Sequence, residues 1–194
     1  EAVTEEVSNK WATQQTIAGP YLSIPYTIQI KNADGETHSE ERYVFIMPQD
    51  LKINGELINE TRKRSLYKVN LYQASCKIEG KFSDIDWNKL NIDKNYLHWN
   101  RARINIGLTD VAGLTNEVNI LWGNTKLQTE SYSNEWNIAT TGVNALLQTG
   151  DFYANTFSFE LNFKGSTSIN FVPMGNNTAV KLTSNFPHPS FAGK

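Results

Sequence analysis

Residues 157–191, near the C-terminus, alternate regularly between apolar and polar side chains. Phe157, Phe159, Leu161 and Phe163 are separated by single polar residues. Because successive side chains of a β-strand point to opposite faces of a sheet, this pattern predicts a strand with one apolar and one polar face. Such a strand needs partner strands and a core over its apolar face, so the pattern favours a β-rich fold.

Two turns are predicted within the same segment. Gly165-Ser166 supplies a residue that tolerates positive φ, and Gly175-Asn176-Asn177 has the composition of a second turn. Pro173 ends the intervening strand because proline cannot donate a hydrogen bond to the ladder. The segment is therefore predicted to form three strands joined by two turns.

Alternation of the same kind occurs through most of the chain. Asn54-Gly55 is typical of a two-residue hairpin turn. The apolar face changes within the run at 66–82, which predicts a β-bulge near residues 71–73. Pro25 predicts an edge position or a bulge in its strand. The further predicted strands are residues 22–30, 43–47, 66–82, 102–108, 118–122 and 143–147.

Residues 1–18 contain the one helical pattern. Val3, Val7 and Trp11 recur every four residues, and Gly19-Pro20 ends the pattern. We therefore expect an N-terminal helix at 1–18 followed by an all-β domain at 19–194. The predicted fold class is mainly β, a single large antiparallel β-sandwich-like domain with an N-terminal helix. A closed barrel is the alternative architecture.

Charge and composition limit the classes of partner and cofactor. The net charge is −2 with both signs mixed along the chain, which argues against a nucleic acid partner. Cys76 is the single cysteine and lies in an apolar run, where a buried thiol is expected. The spacing of His38, His98 and His188 matches no metal motif, so neither a metal nor a cofactor is predicted. The sequence begins with Glu1 and has no bilayer-spanning apolar run, which is what a segment of a longer protein would show.

Two groups of residues are candidates for binding. Arg62 and Arg64 belong to a basic run that would either keep an exposed strand soluble or contact anionic lipid headgroups. Trp87, Trp99 and Trp136 lie in polar stretches, where exposed rings would stack on a saccharide or on peptidoglycan. Trp122, Tyr26 and Tyr72, by contrast, fall on apolar strand faces and are expected in the core.

A hydrolytic site is a weaker interpretation. Asp110, His188 and Ser190 are residue types of a nucleophilic triad, but no nucleophile-elbow motif surrounds the serine. Asp110 in a Thr-Asp-x-x-Gly stretch is more simply a turn former. The proline-rich end at 187–191 is more simply a cap on the domain.

Several blocks of the sequence resemble the CreD family of inner-membrane proteins. Residues 19–26, GPYLSIPY, are similar to the opening of the family's extracytoplasmic region, and later blocks follow in the same order. Phe186 stands where the family usually has tryptophan. The residues that carry the resemblance are Gly19, Pro20, Pro25, Tyr26, Tyr67, Asp110, Gly113, Trp122, Pro173, Gly175, Pro187, Pro189, Ser190 and Phe191.

The resemblance implies an N-terminal membrane helix, a large periplasmic domain and further membrane helices. This chain would be the periplasmic domain, on the periplasmic face of the bacterial inner membrane, and linked to envelope integrity or stress responses. Its expected partners are its own membrane-spanning helices, envelope components and anionic lipid headgroups. The expected role is non-catalytic ligand sensing or scaffolding. An envelope hydrolase or transferase, and a free-standing carbohydrate-binding or adhesive β-sandwich, are the alternatives.

Overall fold

The structure, a computed structural model, describes residues 12–64, 67–135, 137–147, 155–186 and 190. Within them, short 3₁₀ turns occur at Lys94–Tyr96, Trp99–Arg101 and Val111–Gly113. None of the helical turns in these ranges has the length and apolar character needed to cross a membrane. The described strands are β1 (Ala12–Lys31), β2 (Thr37–Ile46), β3 (Asp50–Arg64), β4 (Tyr67–Lys81), β5 (Arg103–Leu108), β6 (Asn119–Trp122), β7 (Thr125–Gln128), β8 (Glu130–Ser133), β9 (Thr141–Leu146), β10 (Thr156–Val172) and β11 (Asn177–Ser184).

The strands form one hydrogen-bonded sheet with the order β11-β3-β4-β10-β1-β5-β9-β8, to which β2 is added through β1, and β6 and β7 through β10. The prediction of a mainly β fold is confirmed. The antiparallel prediction is wrong for two contacts, because β1 runs parallel to β10 and β11 runs parallel to β3. Alternation reveals which face a residue occupies but not which strand lies beside it, so these pairings were not predictable from it.

The predicted N-terminal helix is wrong over its described part. Residues from Ala12 onward belong to β1, and the stretch from Gln14 to Ala18 pairs with β10 up to Val172. Ile17 is buried in the core at 1 % exposure, so pairing and burial override the weak helical spacing. Residues 1–11, including Val3, Val7 and Trp11, lie outside the described residues.

The Gly165-Ser166 turn is also wrong, because β10 runs through both residues without interruption. An added Cβ at Gly165 would lie 2.3 Å from the Tyr72 ring. Tyr72 is held there by a hydrogen bond from its hydroxyl to the Ser168 carbonyl oxygen at 2.8 Å, and by an edge contact with Phe163. Glycine is therefore required at residue 165 for close approach of a ring, and not for a turn.

Asn54-Gly55 is likewise inside β3 and not in a hairpin turn. A Cβ at Gly55 would lie 2.7 Å from Leu182 and 3.0 Å from the sulfur of Cys76. The missing side chain lets β11 and β4 pack closely across β3. As predicted, Cys76 is buried, at 0 % exposure.

The predicted bulge in β4 is absent from its described pairing. The register with β3 is unbroken from Lys81 opposite Asp50 to Tyr67 opposite Arg64. Leu71 and Tyr72 point to opposite faces, and both are buried. Burial on both faces, and not an extra residue, explains why the apolar pattern changes there.

The β1 strand is irregular at Gly19-Pro20, a cis peptide bond, where the register with β5 shifts between Ala18 and Tyr21. Gly19 has φ +121°, and a Cβ there would lie 2.9 Å from the Asn105 carbonyl oxygen. Beyond this point β1 pairs with β2. Pairing with β5 ends at Ser23, so β2 is the one described strand that pairs with β1 at Pro25, which agrees with the predicted edge position. The Pro25 carbonyl oxygen accepts instead from the His98 N–H of the loop before β5.

The apolar core lies on one face of the central strands. Its largest fully buried side chains include Trp122, Phe163, Ile78, Ile104 and Ile106. The predicted turn at 175–177 and the strands at 22–30, 43–47, 102–108, 118–122, 143–147 and 178–182 are confirmed, with small changes in their bounds.

Replacing Gly165 with alanine should lower the free energy of unfolding by about 1–3 kcal/mol, because the new Cβ overlaps the Tyr72 ring. Chemical denaturation would measure the change. In a Tyr72→Leu background the same substitution should cost less, since the ring it meets is gone. Equal costs in the two backgrounds would contradict this explanation.

The thiol of Cys76 should not react with an aromatic disulfide reagent in the native protein at pH 8. Burial raises the pKa of the Cys76 thiol to about 12, so the thiol is neutral at this pH as well as shielded. In denaturant, one thiol per chain should react rapidly. Full reaction in native buffer at the denatured rate would show that the strand around Cys76 opens readily.

Candidate functional site

A cavity of about 600 Å³ lies between the loop after β4, the ends of β6 and β10, and the two 3₁₀ turns that precede β5. Aromatic rings form its inner part and polar side chains its rim. The lining residues are Leu22, Phe82, Ser83, Asp84, Ile85, Trp87, Lys94, Trp99, Trp122 and Asn155.

The inner wall is fixed by the ends of the central strands. The Phe82 backbone N–H donates to the Asn155 carbonyl oxygen at 2.7 Å. Phe82 packs against Trp122 and Phe157 with ring centroids 5.7 Å and 5.4 Å apart. Trp122 is 2 % exposed, so this wall belongs to the core and is rigid.

Trp87 and Trp99 form the outer wall. Their ring centroids are 5.4 Å apart and the rings are nearly perpendicular, at 87°. The segment that carries Trp99 is held against β1: the His98 N–H donates to the Pro25 carbonyl oxygen at 2.8 Å, and the His98 ring nitrogen is 2.8 Å from the Thr27 hydroxyl. Trp99 is therefore presented by a fixed turn and not by a free loop.

The rim can bind groups of either charge and can both donate and accept hydrogen bonds. Asp84, Lys94 and Ser83 are exposed, and Asn155 is half-buried. Rings below and hydrogen-bonding groups above suit a small ligand that has an apolar face and several hydroxyl or amide groups.

The structure brings two of the predicted binding residues, Trp87 and Trp99, together and places Arg62 and Arg64 elsewhere. Trp87 is 6 % exposed and belongs to the core, whereas Trp99 is half-buried and borders the cavity. Trp136 lies outside the described residues. Arg62 and Arg64 lie at the far end of the β3–β4 hairpin, and only their backbone pairing is described.

A second, polar group of residues lies on the opposite face of β1, β5 and β9. Asn105 is fully buried there; its amide donates to the Ser23 hydroxyl at 2.9 Å, and its side-chain oxygen accepts from Asn137 at 3.2 Å. The Tyr21 hydroxyl is 3.2 Å from the Tyr132 hydroxyl. Burial raises the pKa of both tyrosines, so both remain neutral hydrogen-bonding groups near pH 7.

Charged pairs border this polar face. Arg103 donates to Glu130 at 2.5 Å and to the Asn144 side-chain oxygen at 2.6 Å. Arg101 makes a two-bond contact with Glu41, and this hydrogen bonding lowers the pKa of the Glu41 carboxyl. Because each arginine is already paired with a carboxylate, the polar face is not suited to binding an anion. Its buried hydrogen bonds are better explained as helping to specify one arrangement of the strands.

Sequence reasoning missed the polar face and the polar rim of the cavity. In the run from Arg103 to Leu108, Asn105 stands among apolar residues and marks a strand that is buried on both faces. That polar residue was the available signal for the polar face. Asp84 and Lys94 gave no comparable signal, since their common cavity is assembled from separate loops.

The residues that carried the family resemblance are mostly structural where they are described. The Asp110 side chain accepts from the Ala112 N–H at 2.8 Å and caps the turn that contains Gly113, so the turn-former prediction is confirmed. The Gly175 N–H donates to the Thr178 hydroxyl at 3.1 Å and so tightens the turn after Pro173. Ser190 is exposed. Pro187, Pro189 and Phe191 lie outside the described residues.

The described residues do not assemble a catalytic or metal set around Asp110. Its carboxylate is engaged as a cap, and His188 lies outside the described residues. Across the described ranges no group of three or more histidine, cysteine, aspartate or glutamate side chains could hold a metal ion.

Comparison with known proteins agrees with the sequence blocks. A family model described as Inner membrane protein CreD matches residues 1–194. Inner membrane protein CreD of Escherichia coli (strain K12) is 26 % identical over 200 residues, which cover 98 % of this chain but 43 % of that protein. The chain thus spans less than half the length of this curated relative. No solved structure matches the chain. Because the family model matches the whole length of the chain, the chain belongs to the CreD family of inner membrane proteins.

Proposed function

We propose that this chain is the periplasmic domain of a CreD-family inner-membrane protein and that it binds an envelope component without catalysis. Membership of an inner-membrane family supports the association with the membrane. The cavity between Trp87, Trp99 and Trp122 is the observation that carries the binding role. Binding there would report on the envelope to the membrane-embedded part of the protein.

A saccharide fragment of peptidoglycan is the ligand class that fits this cavity best. The flat apolar face of a sugar ring stacks on indole rings, and Trp99 is held in place by the His98 contacts. Asp84, Lys94 and Asn155 supply donors and acceptors for hydroxyl and N-acetyl groups around the rim. Opposite charges at the rim also suit a sugar that carries a short peptide.

The residues of the cavity support binding better than hydrolysis. Glycoside hydrolysis uses two carboxyl groups on either side of the scissile bond. Among the described residues that line the cavity, Asp84 is the one carboxylate, and it is exposed at the rim. An exposed single carboxylate lacks both the partner and the burial that would make it a general acid.

Truncating Trp99 to alanine should weaken binding of muropeptides, the disaccharide-peptide fragments of peptidoglycan, by about tenfold, which corresponds to about 1.4 kcal/mol of stacking. Tryptophan fluorescence titration and thermal shift would measure the affinity. Tyr96→Ala is the matched control, because Tyr96 is an exposed aromatic residue nearby that does not line the cavity. If muropeptides give no saturable response, or if both variants bind equally weakly, the cavity is not a saccharide site.

The periplasmic location can be tested with an introduced cysteine. In the membrane-bound protein, Lys126→Cys should react with a membrane-impermeant maleimide once the outer membrane is permeable, while the inner membrane remains intact. Lys126 is exposed, and Cys76, the one cysteine of this 194-residue sequence, is buried. The parent protein without the Lys126→Cys change measures the background. If labelling occurs only after the inner membrane is disrupted, the domain lies in the cytoplasm.

A further inference from the structure

Past its last row of pairing with β10, the β3–β4 hairpin continues as a two-stranded ribbon, while β10 itself runs on beside β1 to Val172. Toward the tip of the hairpin, pairing of β4 with β10 stops at Tyr72. Tyr72 lies opposite Gly165 of β10 and opposite Asn59 of β3. Beyond this row, residues 60–64 pair with residues 67–71 in five further rows. At about 3.4 Å per row, this ribbon, here called the arm (residues 60–64 and 67–71), reaches about 17 Å past the row.

The arm carries a charge opposite to that of the rest of the chain. Arg62, Lys63, Arg64 and Lys68 are basic, and Glu60 is the one acidic residue, so the arm has a formal charge of +3. The whole chain has a charge of −2, which leaves −5 outside the arm. The formal charge is therefore unevenly distributed, net positive in the arm and net negative in the rest of the chain.

The C-terminal part of the described chain runs toward the same end of the molecule. Strand β11 is parallel to β3, with Ser184 opposite Leu57. The pairing continues as the Asn185 N–H donates to the Leu57 carbonyl oxygen at 3.4 Å, and the Asn59 N–H donates to the Asn185 side-chain oxygen at 2.7 Å. The end of β11 therefore lies alongside the base of the arm.

An exposed apolar residue lies next to the positive charge. Ile58 precedes the arm in β3 and is 50 % exposed. Basic residues attract anionic headgroups, and apolar residues beside them gain from entering the interface.

We propose that the arm docks on the surface of an anionic lipid bilayer. The orientation rests on the proposed function, since it takes the bilayer to be the protein's own inner membrane. Each basic residue near an anionic surface contributes about 1 kcal/mol, and the contribution is screened by salt. The competing interpretation is that the charges only keep an isolated ribbon from pairing with other strands.

Vesicle sedimentation tests the proposal with the 194-residue chain and two vesicle types, phosphatidylcholine alone and phosphatidylcholine with about 30 % phosphatidylglycerol. We expect binding to the anionic vesicles that weakens as salt rises. Arg62→Gln/Arg64→Gln should reduce partitioning about 30-fold, at about tenfold per 1.4 kcal/mol. Arg62→Lys/Arg64→Lys should retain it because the charge is kept.

Lys52→Gln/Lys181→Gln is the matched control, because it removes the same charge from exposed positions on β3 and β11 in the body of the sheet. This control should change partitioning less than about threefold. Equal weakening by both glutamine pairs, or no binding to anionic vesicles at low salt, would overturn the proposal. Circular dichroism checks that each variant is folded. If Arg62→Gln/Arg64→Gln unfolds, vesicle binding by Arg62→Lys/Arg64→Lys and the salt titration of the unmodified chain test the proposal instead.

The same samples separate this proposal from the proposed ligand site. Arg62→Gln/Arg64→Gln should bind muropeptides as the unmodified chain does, because the arm is remote from the cavity. Vesicle binding without muropeptide binding would leave the arm proposal intact and overturn the cavity proposal. Muropeptide binding without vesicle binding would do the reverse.

Discussion

Strand β10 is hydrogen bonded along both edges, and the positions of the other long strands depend on it. Its first part pairs with β4 as far as Gly165, and its last part pairs in parallel with β1 up to Val172. Both pairings meet at Gly165, where the absent side chain leaves room for the Tyr72 ring. One strand thus joins the two halves of the sheet, and no separate turn is needed between them.

This arrangement sets where the polar and apolar surfaces lie. Because β1 is placed beside β10, its other edge can pair with β5, which in turn pairs with β9. Polar groups such as Asn105 are buried there against the Tyr21 backbone. Strand β6 pairs with the start of β10 and brings Trp122 to the end of the sheet, where it lines the cavity. The candidate site therefore follows from strand pairing and not from any local motif.

The sequence predicted which face of a strand most residues occupy, but it did not predict which strands pair with each other. Alternation located most strands because burial of one face imposes a two-residue period. Gly55 and Gly165 were predicted to lie in turns but lie inside strands, since glycine permits close packing as readily as it permits turns. The helix at 1–18 failed over residues 12–18 because pairing with β10 outweighs helical spacing. Trp87 and Trp99 were found as candidates by composition, but their common cavity depends on contacts between distant loops, which no local pattern encodes.

The two proposed surfaces lie at opposite ends of one strand. Tyr67 begins β4 in the arm, and Lys81 ends it immediately before Phe82, which lines the cavity. Fifteen residues of strand correspond to about 45–50 Å. If the arm contacts the bilayer, β4 places the cavity at about this distance from it. A saccharide receptor of the inner membrane would need that geometry, because its ligand lies away from the bilayer. The charge polarity of the chain, positive in the arm and negative elsewhere, would favour the same orientation over its reverse.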